Sequence, residues 1–428
     1  MQNEISFGIK TDEVKETFFD ETLIENKNSV ELHNWQREGI KYFFSNGGKA
    51  IFNCPTGVGK TFFAIELLKE ILKREPELRI LIVVPKNVIM ETGWYQELYN
   101  NGFGLQDIGI FYGNIKEICK ITITNMQSID KIPLEIFSVI VLDEAHSYGT
   151  TKNLIWVEHD FKYKIGLSAT IERTDGKHWD IIKAHNYNVF KYTPKEALKD
   201  GILNTFYYYD IGVEMDDNTK QDYDNLSQEI YMMYQMHGNY NIIMRRKDGI
   251  TNALLSKLTK RKQMVNNYNR KFEVIRTICD KHKNNKIIVF SQFNDQTNKL
   301  YWELLEIGVK AVIIHSGVDK EEVDRIMMGL KKQDTFCILT TKKLDEGWNL
   351  PKLDVAIITA GDSSDRQTIQ RMGRVLRKKE KASVLYQTYC LDTIEETDAI
   401  QRAKTFKELC VDYKEYVFYN NDNTFVLD

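Results

Sequence analysis

The six cysteines of this 428-residue chain, Cys54, Cys119, Cys279, Cys337, Cys390 and Cys410, lie far apart and form no Cys-x-x-Cys pair. That spacing argues against a zinc site or a disulfide framework and for reduced, mostly buried thiols. Long apolar runs are missing too. None approaches the roughly 18 residues of a membrane span, so no membrane association is expected. The opening MQNEISFGIK has no basic stretch followed by an apolar core, so no secretory signal is expected and the default location is cytoplasmic, the host cytoplasm for a viral protein. An excess of either charge is missing as well, with 58 Lys and Arg against 61 Asp and Glu. A net charge of -3 means that any basic surface must be local. Neither a short-period repeat nor a low-complexity tract is present.

What the chain does have is ordinary globular material, 42% hydrophobic and 28% charged, enough for two or three cored domains. Short β-branched runs alternate with amphipathic stretches. KAIFN, RILIVVP, ITIT, SVIVLDE and KIGLSAT occupy the first half, and IIVFS, KAVIIHS, FCILTT, DVAIITA and SVLYQTY the second. Continuous apolar runs between helical segments predict parallel strands buried on both faces. The fold class is therefore α/β, with two doubly wound parallel-sheet domains at about 30–197 and 198–428. The second includes a helical region at about 215–283, and residues 1–29 carry no assignment. FYYYD (206–210) reads as strand core at the start of the second domain. RRK (245–247) and KRK (260–262) read first as solvated helix faces.

In such sheets chemistry gathers at the carboxyl ends of the strands. CPTGVGKT (54–61) follows a strand and opens a helix, the context a phosphate-binding loop requires. Glycines at 57 and 59 let the loop that opens at Pro55 curl round phosphate, with the backbone N–H groups of Thr56, Gly57, Val58 and Gly59 as donors. Lys60 reaches the β/γ-phosphates and Thr61 holds Mg²⁺. VIVLDEAH then ends a strand on two adjacent carboxylates. Asp143 is expected to bind the metal and Glu144 to orient and deprotonate water. His146 is poorly spaced for the same ion and better placed to couple the site to a neighbouring element. ATP and Mg²⁺ are the expected cofactors.

Seven further motifs follow in order: LHNWQREGIKYF (32–43), VVPKNVIM (83–90), ITNMQS (123–128), GLSAT (166–170), VFSQF (289–293), TTKKLDEGWNLP (340–351) and QRMGRVLR (370–377). With the phosphate loop and the D-E-x-H stretch they resemble a superfamily-two helicase or translocase over roughly residues 30–392. GLSATIERTDGKH, with Arg173 and Asp175, and SSDRQTIQRMGRVLRKKEK resemble the XPB-type pattern and, close to it, the phage UvsW-like branch-migration helicases and restriction-enzyme motor subunits. The chain departs from that pattern at Thr174 and Asn349.

The resemblance implies two tandem RecA-like domains with ATP between them. It implies that Gln36 reads adenine, that Gly347 contributes to the nucleotide site, and that Ser168 and Thr170 sense hydrolysis. Gln370 would help hold the water, Arg374 and Arg377 would be the arginine fingers, and Arg371 a structural pairing residue that couples the parts. A guanidinium supplied from outside the phosphate loop is worth on the order of 10³ to 10⁵ in rate. Lys86, Gln127, Ser291, Thr340 and Thr341 would contact the nucleic-acid backbone. The implied activity is ATP-driven movement along DNA, with single strands or forked or branched duplex as partner in replication, recombination or repair. An RNA helicase and a non-unwinding duplex-DNA motor for a nuclease remain open. Abundant Asn, Lys and Ile point to an AT-rich genome and a small phage-like enzyme.

Overall fold

The computed structural model describes residues 31–85, 93–173, 175–341, 352–360, 373, 375–422 and 424–427. These form two compact units that divide between Ala197 and Leu198.

The first unit opens with the helix Asn34–Ser45 and continues through β1 (Lys49–Asn53), the helix Lys60–Arg74, β2 (Ile80–Val84), the helix Tyr95–Asn100, β3 (Ile108–Tyr112), β4 (Ile115–Lys116), β5 (Ile121–Asn125), β6 (Val139–Asp143), β7 (Tyr163–Ser168) and β8 (Val189–Lys191). The sheet order is β4-β3-β5-β2-β6-β7-β1-β8. Every pairing is parallel except the short β3/β4 hairpin. The cause is visible in the residues. All five positions of ILIVV in β2 and of VIVLD in β6 are buried, so these strands must be covered on both faces. The helix Lys60–Arg74 supplies cover with Phe63, Ala64, Leu67, Leu68 and Ile71 at helical spacing.

The second unit runs through β9 (Phe206–Val213), four helices (Asp217–His237, Tyr240–Arg246, Gly249–Asn266 and Asn269–Lys281), β10 (Lys286–Phe290), β11 (Ala311–Ile314), β12 (Phe336–Thr340), β13 (Val355–Ile358), β14 (Ser383–Cys390), the helix Ile394–Leu409 and β15 (Asp412–Phe418). The order is β11-β12-β10-β13-β14-β9-β15, parallel throughout. Taken in chain order, β9 to β14 occupy the same third-fourth-second-fifth-sixth-first arrangement as β1, β2, β3, β5, β6 and β7. The chain thus repeats its topology without repeating its sequence.

The helical stretch expected at 215–283 divides by packing. Leu226, Ile230, Ile243 and Leu254 make a small core among its first three helices, whose starts are capped by Asp216, Asn239 and Asp248. The fourth helix belongs to the sheet, since Phe272, Val274, Ile275, Ile278 and Cys279 join the core of β9 to β14. Arg246 pairs with Asp248 at 2.9 Å, and Arg261 lies over the Tyr223 ring, so these two basic residues are used locally. Tyr208 of β9 is buried while Tyr207 is exposed, as strand alternation requires. All six cysteines are free; four are buried.

Candidate nucleotide and nucleic-acid site

Three neighbouring strand ends build the site of the first unit. β7 lies between β6 and β1, with Asp143 beside Leu167 and Ser168 beside Asn53. The phosphate-type loop leaves β1 at Cys54, whose N–H donates to the Ser168 carbonyl at 2.9 Å. Gly57 and Gly59 sit at φ +91° and +86°, a region that disfavours any side chain. At Gly59 a Cβ would also come within 3.2 Å of Gln36 Nε2. Gln36 is itself buried. It accepts the His33 N–H at 2.8 Å and donates to the Gly59 carbonyl at 3.3 Å, which binds the leading helix to the loop.

Lys60 begins the following helix, and its Nζ donates to the carbonyls of Cys54 at 2.9 Å and Pro55 at 3.3 Å. The Thr56 hydroxyl oxygen in the same loop is buried with no protein partner. A loop hydroxyl left this way is free to meet a ligand or a water. Burial pushes the Cys54 thiol up to about 12 despite the Lys60 charge, so this cysteine is an inert part of the loop.

Asp143 closes β6 in a buried position. Its Oδ2 accepts the Trp94 indole N–H at 2.8 Å and its Oδ1 accepts the Glu144 backbone N–H at 3.0 Å. Burial raises its pKa, while Trp94, the Lys60 cation and the Glu144 N–H pull the other way. Glu144 takes the left-handed conformation, φ 51° and ψ 55°, a strain of roughly 1 to 3 kcal/mol for a non-glycine residue. Tyr148 anchors the turn from below by donating to the Val83 carbonyl at 2.8 Å.

His146 is buried, with Nδ1 3.0 Å from Ser168 Oγ and 3.4 Å from Glu144 Oε2. Ser168 Oγ donates to the Thr170 carbonyl at 2.7 Å. Arg173 donates to the His146 carbonyl at 2.5 Å and forms a two-point pair with Asp175 at 2.9 and 2.8 Å. The pair holds the Asp175 carboxyl well below the usual range. The donor set fits Mg²⁺, which takes hard oxygen ligands, one or two of them from protein and the rest from phosphate and water. Asp143 and the Thr61 hydroxyl are of that kind. Among the described residues no cluster of three or more His, Cys, Asp or Glu offers a rival all-protein metal cage.

On the nucleic-acid side the side chains separate. Gln127 is exposed on a turn fixed by Asn125, whose Oδ1 accepts the N–H groups of Gln127 at 3.1 Å and Ser128 at 2.8 Å. In the second unit Thr340 is buried and its hydroxyl donates to the Ile314 carbonyl at 2.8 Å. Thr341 Oγ1 reaches Asn294 Oδ1 at 3.4 Å, and Ser291 Oγ is buried without a protein partner. The hydroxyl of Thr340 is therefore spent inside the sheet. Its counterpart in the first unit is Thr124, which donates to the Phe111 carbonyl at 2.8 Å. Arg377 bridges Leu203 and is half-buried. Burial lowers its pKa without threatening its charge. Lys86, Gly347, Gln370, Arg371 and Arg374 lie outside the described residues, as do Thr174 and Asn349.

Sequence reasoning missed Trp94. The only signal was an indole in GWYQEL, at the start of a helix with few other apolar residues.

Residues 29–173 match the family model described as type III restriction enzyme, res subunit, and residues 270–379 match the helicase conserved C-terminal domain. The DNA 3'-5' translocase XPB2 of Sulfurisphaera tokodaii is 26% identical over 87% of this chain and 85% of its own length. The DNA 3'-5' helicase XPB of Mycobacterium tuberculosis is 22% identical over 88% of this chain, which spans 64% of that protein. A putative helicase of a Sulfolobus islandicus filamentous virus is 25% identical over 87% of this chain and 65% of its own. The crystal structure of the Pyrococcus furiosus Hef helicase domain shares the fold, with a TM-score of 0.57 at 16% identity over 87% of this chain and 97% of that one. The chain belongs to the superfamily-two DNA helicases and translocases, on their XPB-like side, and is an ATP-hydrolysing enzyme of that family.

Proposed function

We propose that the chain hydrolyses ATP at the strand ends of its first unit and spends that cycle on moving along DNA, remodelling forked or branched duplex. The observation that carries this reading is the convergence on Ser168. Its carbonyl holds the phosphate loop, and its hydroxyl meets the histidine of the D-E-x-H turn. In this scheme the glycine loop and Lys60 bind the triphosphate, and Gln36 faces adenine. Thr61 and Asp143 hold Mg²⁺, which supplies positive charge to the phosphate oxygens when bound. Glu144 orients the attacking water and takes its proton. His146, Ser168 and Thr170 pass the state of the nucleotide to the rest of the chain. Gln370, Arg374 and Arg377 serve phosphoryl transfer on the strength of their motif, and Arg371 pairs structurally beside them.

Lys86, Gln127, Thr341 and Ser291 are proposed to follow the DNA backbone, with Thr340 supporting them from within the sheet. Contacts of that kind position a strand without reading its bases. The 3'-5' polarity in the relatives' names is proposed for this chain too. Turnover measured in parallel with single-stranded DNA, duplex, fork, four-way junction and RNA tests the reading. Stimulation by DNA, greatest with forks or junctions, is expected; stimulation by RNA alone would overturn it.

A second reading has its own support. Residues 29–173 match the family described as type III restriction enzyme, res subunit, and a subunit serving a nuclease would move along duplex without separating its strands. Triplex displacement in the absence of fork unwinding would select it.

A further inference from the structure

Trp94 and Asp143 are 49 positions apart in the chain, yet the indole N–H meets the carboxylate at 2.8 Å with both side chains buried. Indole is a donor with no acceptor, so this contact exists only while Oδ2 accepts. The other oxygen is taken by the Glu144 N–H. Between them the two donors fix the rotation of the carboxylate about its Cβ–Cγ bond and leave the remaining lone pairs for a ligand. Trp94 also enters the helix Tyr95–Asn100 with Tyr95 and Leu98 fully buried beside it. Its ring cannot swing away without opening that packing.

We propose that Trp94 is a positioning residue for the metal–nucleotide site, orienting the Asp143 carboxylate through its indole N–H. The inference rests on the reading of Asp143 as a ligand of the nucleotide's Mg²⁺. Partners one step out from a metal ligand typically govern metal affinity by about 10- to 100-fold. A tryptophan retained only for bulk would be replaceable by another aromatic ring without change at the metal.

The test uses the full chain with a non-hydrolysable ATP analogue and Mn²⁺, whose bound fraction is read by electron paramagnetic resonance. Trp94→Phe keeps the ring and removes the donor. It is expected to raise the half-saturating Mn²⁺ concentration by about tenfold or more, with nucleotide affinity in the absence of metal within about twofold. Asp143→Asn should raise it at least as far, and the double variant no further than Asp143→Asn alone, because the indole acts only through the carboxylate. Parent-like metal affinity in Trp94→Phe, or losses that multiply in the double variant, would overturn the inference while leaving the Asp143 assignment intact. Parent-like affinity in Asp143→Asn would sink that assignment and the inference together. Should Trp94→Phe fail to fold, benzothienylalanine at position 94 replaces the N–H by sulfur at nearly the same shape, and the same outcomes apply.

Discussion

Ser168 Oγ lies 3.0 Å from His146 Nδ1 and gives its own proton to the Thr170 carbonyl at 2.7 Å. With that proton committed, the serine oxygen can only accept from the imidazole, so Nδ1 carries the hydrogen. Because the Ser168 carbonyl also receives the Cys54 N–H, one residue touches the loop, the D-E-x-H turn and the segment after β7.

Ser168→Ala deletes the hydroxyl from that junction and leaves the backbone bond to Cys54. Nucleotide affinity is expected to stay within about twofold while the stimulation of hydrolysis by DNA drops by about fivefold or more, the lower end of ordinary coupling between sites. Titrating DNA against turnover measures it. Unchanged stimulation would remove Ser168 from the coupling route.

His185 follows the helix His178–Ala184, fully buried, with Nδ1 on the Ile181 carbonyl at 2.8 Å. Burial, reinforced by the charges of Lys164 and Lys49, holds its pKa down at about 4 against an ordinary 6.5. Between those values the unfolded chain binds more protons than the folded one. Stability is therefore complete above about pH 6.5 and declines as pH falls towards 4, by roughly 3 kcal/mol from this residue. Urea midpoints from pH 7 to pH 4.5 should fall more steeply for the parent than for His185→Gln. Parallel curves would contradict the assignment.

Much of this was legible in the sequence. Ten β-branched runs named there are strands here, because burial on both faces leaves a continuous apolar signature. The strands β3, β4, β8 and β15 left a weaker one: β4 has two residues, β8 has three, and β15 lies at a sheet edge with most of its positions exposed. The carboxylates, the glycine loop and Lys60 stand out in the sequence because the chemistry proposed for them fixes residue type and spacing. Trp94 was not, since its partner Asp143 is remote in the chain and the contact depends on tertiary packing. The inward turn of the Thr340 hydroxyl was hidden for a similar reason. It depends on Ile314 of the adjacent strand, which no local pattern reveals.

Lys86 is proposed to meet a backbone phosphate. Lys86→Ala should weaken DNA binding about equally for different sequences and shallow the dependence of log affinity on log salt by roughly one counterion. Equilibrium titrations at several salt concentrations measure the slope. A changed sequence preference with an unaltered slope would exclude the phosphate contact.

Arg374 is proposed to stabilise charge that develops in phosphoryl transfer. Arg374→Ala should keep ATP affinity within several-fold and lower DNA-stimulated turnover by about two orders of magnitude or more. Lysine should rescue poorly, since a point charge lacks the planar fork of guanidinium. Recovery of full turnover at saturating DNA would make this arginine a DNA contact instead.

Glu144 is proposed to activate the water that hydrolyses a triphosphate cradled by the loop at Lys60. Single-turnover hydrolysis at saturating DNA, measured beside ATP binding in Glu144→Gln and Lys60→Ala, tests it most directly. Glu144→Gln should bind ATP with affinity near that of the parent and lose hydrolysis by at least about 100-fold, the scale of general-base loss, while Lys60→Ala should lose productive binding itself. Near-parental hydrolysis in Glu144→Gln would remove Glu144 from the role of base.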